Sequence, residues 1–293
     1  MLKNFEDLIN HSMKNGKKTI AVVDADATAI AAIREARNFD LNYIYLGNEK
    51  EISNLLRDIL NLPPNERNII HTNSGEEAAF KAVELVRKGE ADILMKGKLQ
   101  TATLLKAVLN KETGINEGRL MSHLTVLSLE NYKKLLFVTD AGMNPYPTLE
   151  QKIGITENTI NFLQKLGYDK LKIAALAAVE TVSPKMPETE DAAKLKDYFL
   201  EKKGINFEGP FSMDLAISEE AAQKKGIDSQ VSGDVDILVV PNIAVGNIMC
   251  KSLIHLANAT MAGVILGSKV PIILVSRGAS KEEKLMSIVL SIA

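Results

Sequence analysis

The 293-residue chain has no tryptophan, and aromatic residues make up only 5% of it. Little material is therefore present for stacking on nucleic-acid bases. The formal net charge is −2, which supplies no electrostatic footprint for nucleic acid or for an anionic membrane. A single cysteine, Cys250, excludes an internal disulfide and fits a reducing, cytoplasmic compartment. No apolar run approaches the roughly 20 residues that span a bilayer. The start, Met1-Leu-Lys-Asn-Phe-Glu-Asp7, is polar and lacks the apolar segment of a secretory signal. The four histidines, His11, His71, His123 and His255, are scattered without metal-ligand spacing, and each reads as structural, so no metal is expected. Low-complexity segments, flexible linkers and repeats of fixed period are also missing.

What is present is 46% hydrophobic and 25% charged residues, the balance of a globular protein long enough for one large or two medium α/β domains. Short apolar runs alternate with segments of helical periodicity. Lys18–Val23, Leu41–Leu46, Ile69–Ile70 and Ala91–Met95 read as strands; Ala27–Arg37, Glu49–Leu60, Gly75–Lys88 and Thr101–Asn110 read as helices. That alternation predicts a mostly parallel sheet covered on both faces. The pattern shifts near Gly118: Met121–Leu127 and Leu135–Thr139 are separated only by a short polar turn, as in an antiparallel hairpin. Further on, Leu171–Leu176 and Asp236–Val240 read as strands, and Leu149–Leu166, Thr189–Lys202, Met213–Lys224 and Ala244–Ala257 as helices. The expected organisation is a discontinuous first lobe, 1–117 plus 263–293, and a second lobe, 118–262, with a ligand cleft between them at the carboxyl ends of strands.

The stretch richest in chemistry lies near the end. Pro271–Val275 reads as a buried strand, Ser276-Arg277-Gly278 as a turn, and Ser280 as the start of the last helix. A helix N-terminus after a glycine-containing turn favours anions. Arg277 adds a planar cation suited to phosphate or to a developing oxyanion, and Ser276 adds a hydroxyl. A serine-hydrolase elbow is not formed, because the first glycine of Gly-x-Ser-x-Gly is missing. Ser280-Lys-Glu-Glu283 is a capping box, so spacing favours Glu283 as a helix cap; one helical turn from Ser276 and Arg277, its carboxylate is also a candidate base. A second anion-binding candidate follows a strand and precedes a helix: Lys96, Gly97 and Lys98, with Thr101 and Thr103 as hydroxyl donors. It has neither P-loop nor Rossmann spacing. Asn73–Glu77 reads as a helix cap, and Cys250 as a small buried hydrophobe.

Several of these residues fall in blocks that resemble the phosphate acetyltransferase and phosphate butyryltransferase family. They are Ser232–Ile248, Gly209-Pro-Phe-Ser-Met-Asp214, Val275-Ser-Arg-Gly278, and Met95-Lys-Gly-Lys98 with Thr101. Thr139-Asp-Ala-Gly142 and Glu180–Thr189 resemble the butyryltransferase branch in particular. The resemblance covers nearly the whole chain. It implies two α/β lobes of the isocitrate/isopropylmalate dehydrogenase-like type with a cleft between them, and a homodimer. The implied reaction is acyl-CoA plus phosphate giving acyl phosphate plus coenzyme A, with coenzyme A as a substrate and no bound cofactor. By the same resemblance Ser276 and Arg277 contact the reacting groups and Glu283 stands where the acetyltransferases carry an aspartate base. Lys106 occupies the place of a family arginine, keeping the charge without the bidentate fork. Lys96, Gly97, Lys98, Thr101, Lys106 and Asn247 are the candidate phosphate- and CoA-binding residues. Other readings are a phosphate acetyltransferase of the same family, a two-lobed NAD-dependent oxidoreductase, and a binding protein that kept the fold and lost catalysis. The oxidoreductase would need clustered aspartates for a metal, and none have suitable spacing.

Overall fold

Aliphatic and β-branched runs become strands here, and the segments between them become helices. The computed structural model describes residues 2–63, 68–116, 118–274 and 278–293. In chain order the elements begin with α1 (Phe5–Ser12), β1 (Lys18–Val23), α2 (Ala27–Glu35), β2 (Leu41–Gly47), α3 (Glu49–Leu60) and β3 (Ile69–His71). They continue with α4 (Gly75–Lys88), β4 (Ile93–Lys96), α5 (Thr101–Val108), β5 (Ser122–Ser128), β6 (Leu136–Thr139), α6 (Leu149–Lys165) and β7 (Leu171–Leu176). Next are α7 (Pro187–Phe199), β8 (Ile205–Phe211), α8 (Met213–Ile217), α9 (Glu219–Lys224), β9 (Ile237–Val239) and α10 (Ile243–Ala257). The chain closes with β10 (Thr260–Leu266), β11 (Ile272–Ile273) and α11 (Lys281–Ile292). The fold is mixed α/β. Contacts divide the chain into two units, one of Glu6–Met121 and Ala262–Ala293, the other of Ser122–Met261 with the described residues of Met1–Phe5.

In the first unit the strand order is β3-β2-β1-β4-β11-β10. β1 runs parallel to β2 and to β4, and β11 parallel to β4, while β10 is antiparallel to β11. Ile20, Ala21, Val22 and Val23 are all buried, without alternation, because helices cover both faces. The chain steps from β1 outward to β2 and β3, then returns to place β4 on the other side of β1. That reversal opens the strand ends between β1 and β4, the place where open α/β sheets bind ligands.

In the second unit the order is β5-β6-β9-β7-β8. β6, β9, β7 and β8 are mutually parallel, and β5 pairs antiparallel with β6 through Leu124↔Thr139 to Leu127↔Leu136. The hairpin expected after Gly118 is therefore formed. A buried ion pair ties the starts of three strands together: Asp236 accepts from Lys134 Nζ at 2.6 Å and from the Lys172 N–H at 2.8 Å. A charge with so little exposure is tolerated only when paired in this way.

Two elements differ from the sequence expectation. Residues 205–211 form a strand although Gly209-Pro210 lies inside it. Among the described residues β8 pairs only with β7, and a proline is admissible at a sheet edge, where its missing donor faces no partner. The single helix expected over Met213–Lys224 is two, because Ser218 leaves the helical conformation (φ −132°) and its side chain accepts from the Ala221 N–H as a new cap.

Candidate active site

Two turns meet at the reversal point of the first sheet. After β1, Asp24 takes a left-handed conformation (φ 54°), and its N–H donates to the Leu46 carbonyl at 2.7 Å. Asp26 then caps α2, accepting from the Ala29 N–H and from Thr28 Oγ1, each at 2.7 Å. The Thr28 hydroxyl also accepts from the Lys284 ammonium, which α11 carries. After β4, the Gly97 and Lys98 N–H groups donate to the Val23 and Asp24 carbonyls, both at 2.8 Å. The two turns lie so close that a Cβ on Gly97 would sit 2.0 Å from the Asp24 carbonyl oxygen. Glycine is required here by approach of backbone to backbone, and the two amides are spent on that contact. Neither amide is therefore open to an anion.

The Lys96 ammonium donates to the Gly97 and Leu99 carbonyls at 3.0 and 3.2 Å. The Lys98 ammonium lies 2.6 Å from Glu51 Oε2 and 3.7 Å from Asp24 Oδ1. Burial raises the Asp24 carboxyl above the usual carboxylate range, against the opposing pull of Lys98. Gln100 stands at the α5 cap position without a side-chain capping bond, and exposed Thr101 opens the helix. The Thr103 N–H donates to the Gln100 carbonyl at 3.1 Å, which leaves the Thr101 and Ala102 N–H groups for solvent or a ligand. Asp24, Asp26, Ala27, Thr28, Lys98, Leu99 and Gln100 line an open depression at this place. Lys106 lies farther along α5, exposed and paired with Glu76 at 2.6 Å.

Ser276 and Arg277 lie outside the described residues, as does Val275. Of the strand expected over Pro271–Val275, the described part is β11, in parallel register with Leu94 and Met95 of β4. Ser280 and Glu283 form the complete capping box of α11: the Glu283 N–H donates to Ser280 Oγ at 3.1 Å, and Glu283 Oε2 accepts from the Ser280 N–H at 2.7 Å. Among the described residues no group of three or more His, Cys, Asp or Glu is placed to hold a metal ion.

The second unit has its own set of strand-end groups. Asp140, following β6, accepts from the N–H groups of Gly142, Met143 and Asn144 and from the Asn144 side chain, at 2.6 to 3.2 Å. Asn242 caps α10. A Cβ on Gly246 would lie 2.9 Å from the Ala141 Cα, so the helix start rests directly on the Asp140 turn. Asn247, the next residue of α10, is half-buried. Beyond β7 and β8, two separate sequence blocks come together: Ser212 Oγ lies 2.5 Å from both Glu180 Oε1 and Asp214 Oδ1, and the Lys225 ammonium bridges the two carboxylates. The structure therefore groups Lys96, Gly97, Lys98 and Thr101 in the first unit and puts Asn247 in the second. Asp24, Asp26, Thr28 and Lys284 escape a sequence reading. Asp26-Ala-Thr28 directly after a strand was a usable cap signal, whereas Lys284 is brought in only by packing of α11 on α2.

A family model described as phosphate acetyl/butaryl transferase matches residues 65–292. The chain belongs to this family of acyltransferases. It is 39% identical over 296 residues to the phosphate butyryltransferase of Clostridium acetobutylicum, covering 99% of this chain and 98% of that protein. Identity to the phosphate acetyltransferase of Thermotoga maritima is also 39%, over 289 residues, covering 98% of each. Among solved structures, a branched-chain phosphotransacylase from Enterococcus faecalis superposes with a TM-score of 0.84 at 34% identity, over 94% of this chain and 97% of that one. A 4-hydroxythreonine-4-phosphate dehydrogenase from Salmonella typhimurium shares the fold alone, at a TM-score of 0.61 and 14% identity over 94% of this chain and 99% of that one.

Proposed function

We propose that the protein transfers a short-chain acyl group between coenzyme A and inorganic phosphate, with butyryl as the preferred group: butyryl-CoA plus phosphate in exchange with butyryl phosphate plus CoA. The observation that carries this reading is similarity over almost the full length to proteins named for that reaction. The acetyltransferase reading has its own support in the equally similar Thermotoga maritima protein.

In the direction of acyl-CoA synthesis, all substrates are bound together. A base takes the proton of the CoA thiol, and the thiolate sulfur attacks the acyl-phosphate carbonyl carbon. The C–S bond forms, the C–O bond to phosphorus breaks, and phosphate leaves. Glu283 is the candidate base in this scheme; its carboxylate must then leave the Ser280 N–H to reach the thiol. Arg277 stabilises the developing oxyanion, worth roughly 3–4 kcal/mol for one well-placed donor, and Ser276 bonds the thiol or the oxyanion. Lys96, Lys98, Thr101 and the start of α5 serve phosphate, with Lys106 and Asn247 as further substrate contacts. In this reading the two lobes are of the isocitrate-dehydrogenase type. Two copies associate in this reading, and the exposed Val245, Ile248 and Leu256 of α10 support it. Sedimentation of a monomer at micromolar concentration would refute that part.

The test of the reaction is thiol release from acyl-CoA, followed with and without phosphate. Release that requires phosphate, with a higher kcat/KM for butyryl-CoA than for acetyl-CoA, is expected. Equal or reversed specificity constants would leave the acetyltransferase reading, and no release would remove both.

A further inference from the structure

His123 is a titratable side chain for which the scheme above has no use. It stands in β5 one residue beyond the Leu124↔Thr139 pair. That places it at the edge of the second sheet where β6 and its parallel neighbours end, opposite the Asp140 turn. Its Nδ1 lies 3.2 Å from Thr125 Oγ1, on the same face of the strand two residues on. Its carbonyl accepts from Thr139 Oγ1 at 3.1 Å. A Cβ on Gly142 would come within 3.1 Å of the imidazole Cγ and Nδ1, so the turn backbone presses against the ring. These contacts hold the imidazole in one orientation.

The other ring nitrogen is not used: among the described residues no hydrogen bond reaches Nε2. Asp140 is the nearest charge, yet its two oxygens are occupied by three backbone N–H groups and the Asn144 amide. Cys250 is the other titratable neighbour, reached through Thr125, and burial pushes its thiol up to about 11, so it is uncharged near neutrality. Burial also holds the imidazole below its ordinary pKa, against the pull of Asp140. A neutral ring, held at Nδ1 and half-buried, keeps one nitrogen without a protein partner among the described residues, at the end of the strands.

Building on the acyl-transfer reading, we propose that His123 is a substrate-binding residue whose Nε2–H donates to an oxygen of the acyl phosphate. In this arrangement the Thr125 hydroxyl donates to Nδ1 and so keeps the ring proton on Nε2. A neutral donor at that place binds a substrate oxygen without a change of protonation.

Two substitutions separate this role from a structural one. The amide of His123→Gln reaches the position of Nε2, and that of His123→Asn the position of Nδ1. The full chain and both variants are assayed for acyl transfer, with a thermal melt on each. His123→Asn, which keeps the Thr125 contact, is expected to lower kcat/KM about 10- to 100-fold, and His123→Gln to recover it to within about 5-fold, on the scale of one hydrogen bond to a substrate. Rescue by asparagine instead, or wild-type kinetics in both folded variants, overturns the proposal and leaves the acyl-transfer reading standing. Absence of turnover in the unsubstituted chain overturns that reading and the proposal with it. Independently of variant folding, butyryl phosphate added to the ¹⁵N-histidine-labelled chain is expected to shift the His123 Nε2 resonance, and an unchanged resonance at saturation counts against it.

Discussion

Gly97 offers the sharpest test of how the first unit builds its site. In Gly97→Ala the added methyl would meet the Asp24 carbonyl oxygen at 2.0 Å, the Asp24 carbonyl carbon at 2.6 Å and the Ala25 Cα at 2.8 Å. All three are backbone atoms, so no side-chain rotation relieves the clash. The turn after β4 must retreat from the turn after β1 until that contact reaches at least 3.4 Å. The bonds from the Gly97 and Lys98 N–H groups to Val23 and Asp24, now 2.8 Å each, cannot survive that movement intact. Overpacking of a tight contact costs about 1–3 kcal/mol, and two lost hydrogen bonds add about 1 kcal/mol each. The expected destabilisation is therefore about 3–5 kcal/mol. Gly16→Ala, where a Cβ meets nothing within 4 Å, is the control and should change stability by no more than about 0.5 kcal/mol. Urea unfolding of the two variants beside the parent chain measures both. If Gly97→Ala unfolds within about 1 kcal/mol of Gly16→Ala, the close approach of the two turns is not what the glycine serves.

The two roles of Glu283 separate by substitution: Glu283→Gln keeps the capping geometry, so the melt should be unchanged while kcat falls. Ser280→Ala should cost about 1 kcal/mol of stability, and a Glu283→Gln variant with parental kcat would exclude it as the base. Arg277→Lys is expected to lower kcat on the order of 10²-fold, more than it raises KM, because lysine lacks the fork; a folded variant with unchanged kcat would sink the assignment. Finally, the hydrogen bond from Lys81, joined by the Asn73 N–H, depresses the Glu77 carboxyl to about 2. Its contribution to stability is therefore present above the ordinary carboxylate range and lost as pH falls through that value. Lys81→Met should move the carboxyl titration upward by NMR, and an unmoved midpoint would contradict the pairing.

The repeated strand-helix pattern was legible because each apolar run and each helical period is local. The antiparallel hairpin was legible for the same reason, since a short polar turn admits no crossover. Residues 205–211 were not, because Gly209-Pro210 argues against a strand unless the strand is known to be an edge, and edge position is a property of the assembled sheet. The motif Lys96-Gly97-Lys98 could be found by composition, but not the use of its amides: that depends on Asp24 lying against Gly97, more than seventy residues away in the chain. Glu283 was readable as a cap from its spacing to Ser280. The surroundings of His123 were not readable: a search for metal spacing sees four scattered residues, whereas Thr125 and Gly142 meet the His123 ring only after β5 and β6 have paired.

The most direct measurement of the central claim is a ³¹P NMR spectrum of the chain with butyryl-CoA and inorganic phosphate, combined with titration of free thiol. Acyl transfer predicts a growing acyl-phosphate resonance, an equal loss of inorganic phosphate, and one free thiol for each acyl phosphate formed. Thiol release without the acyl-phosphate signal would mean hydrolysis rather than transfer, and an unchanged spectrum with no thiol would contradict the claim outright.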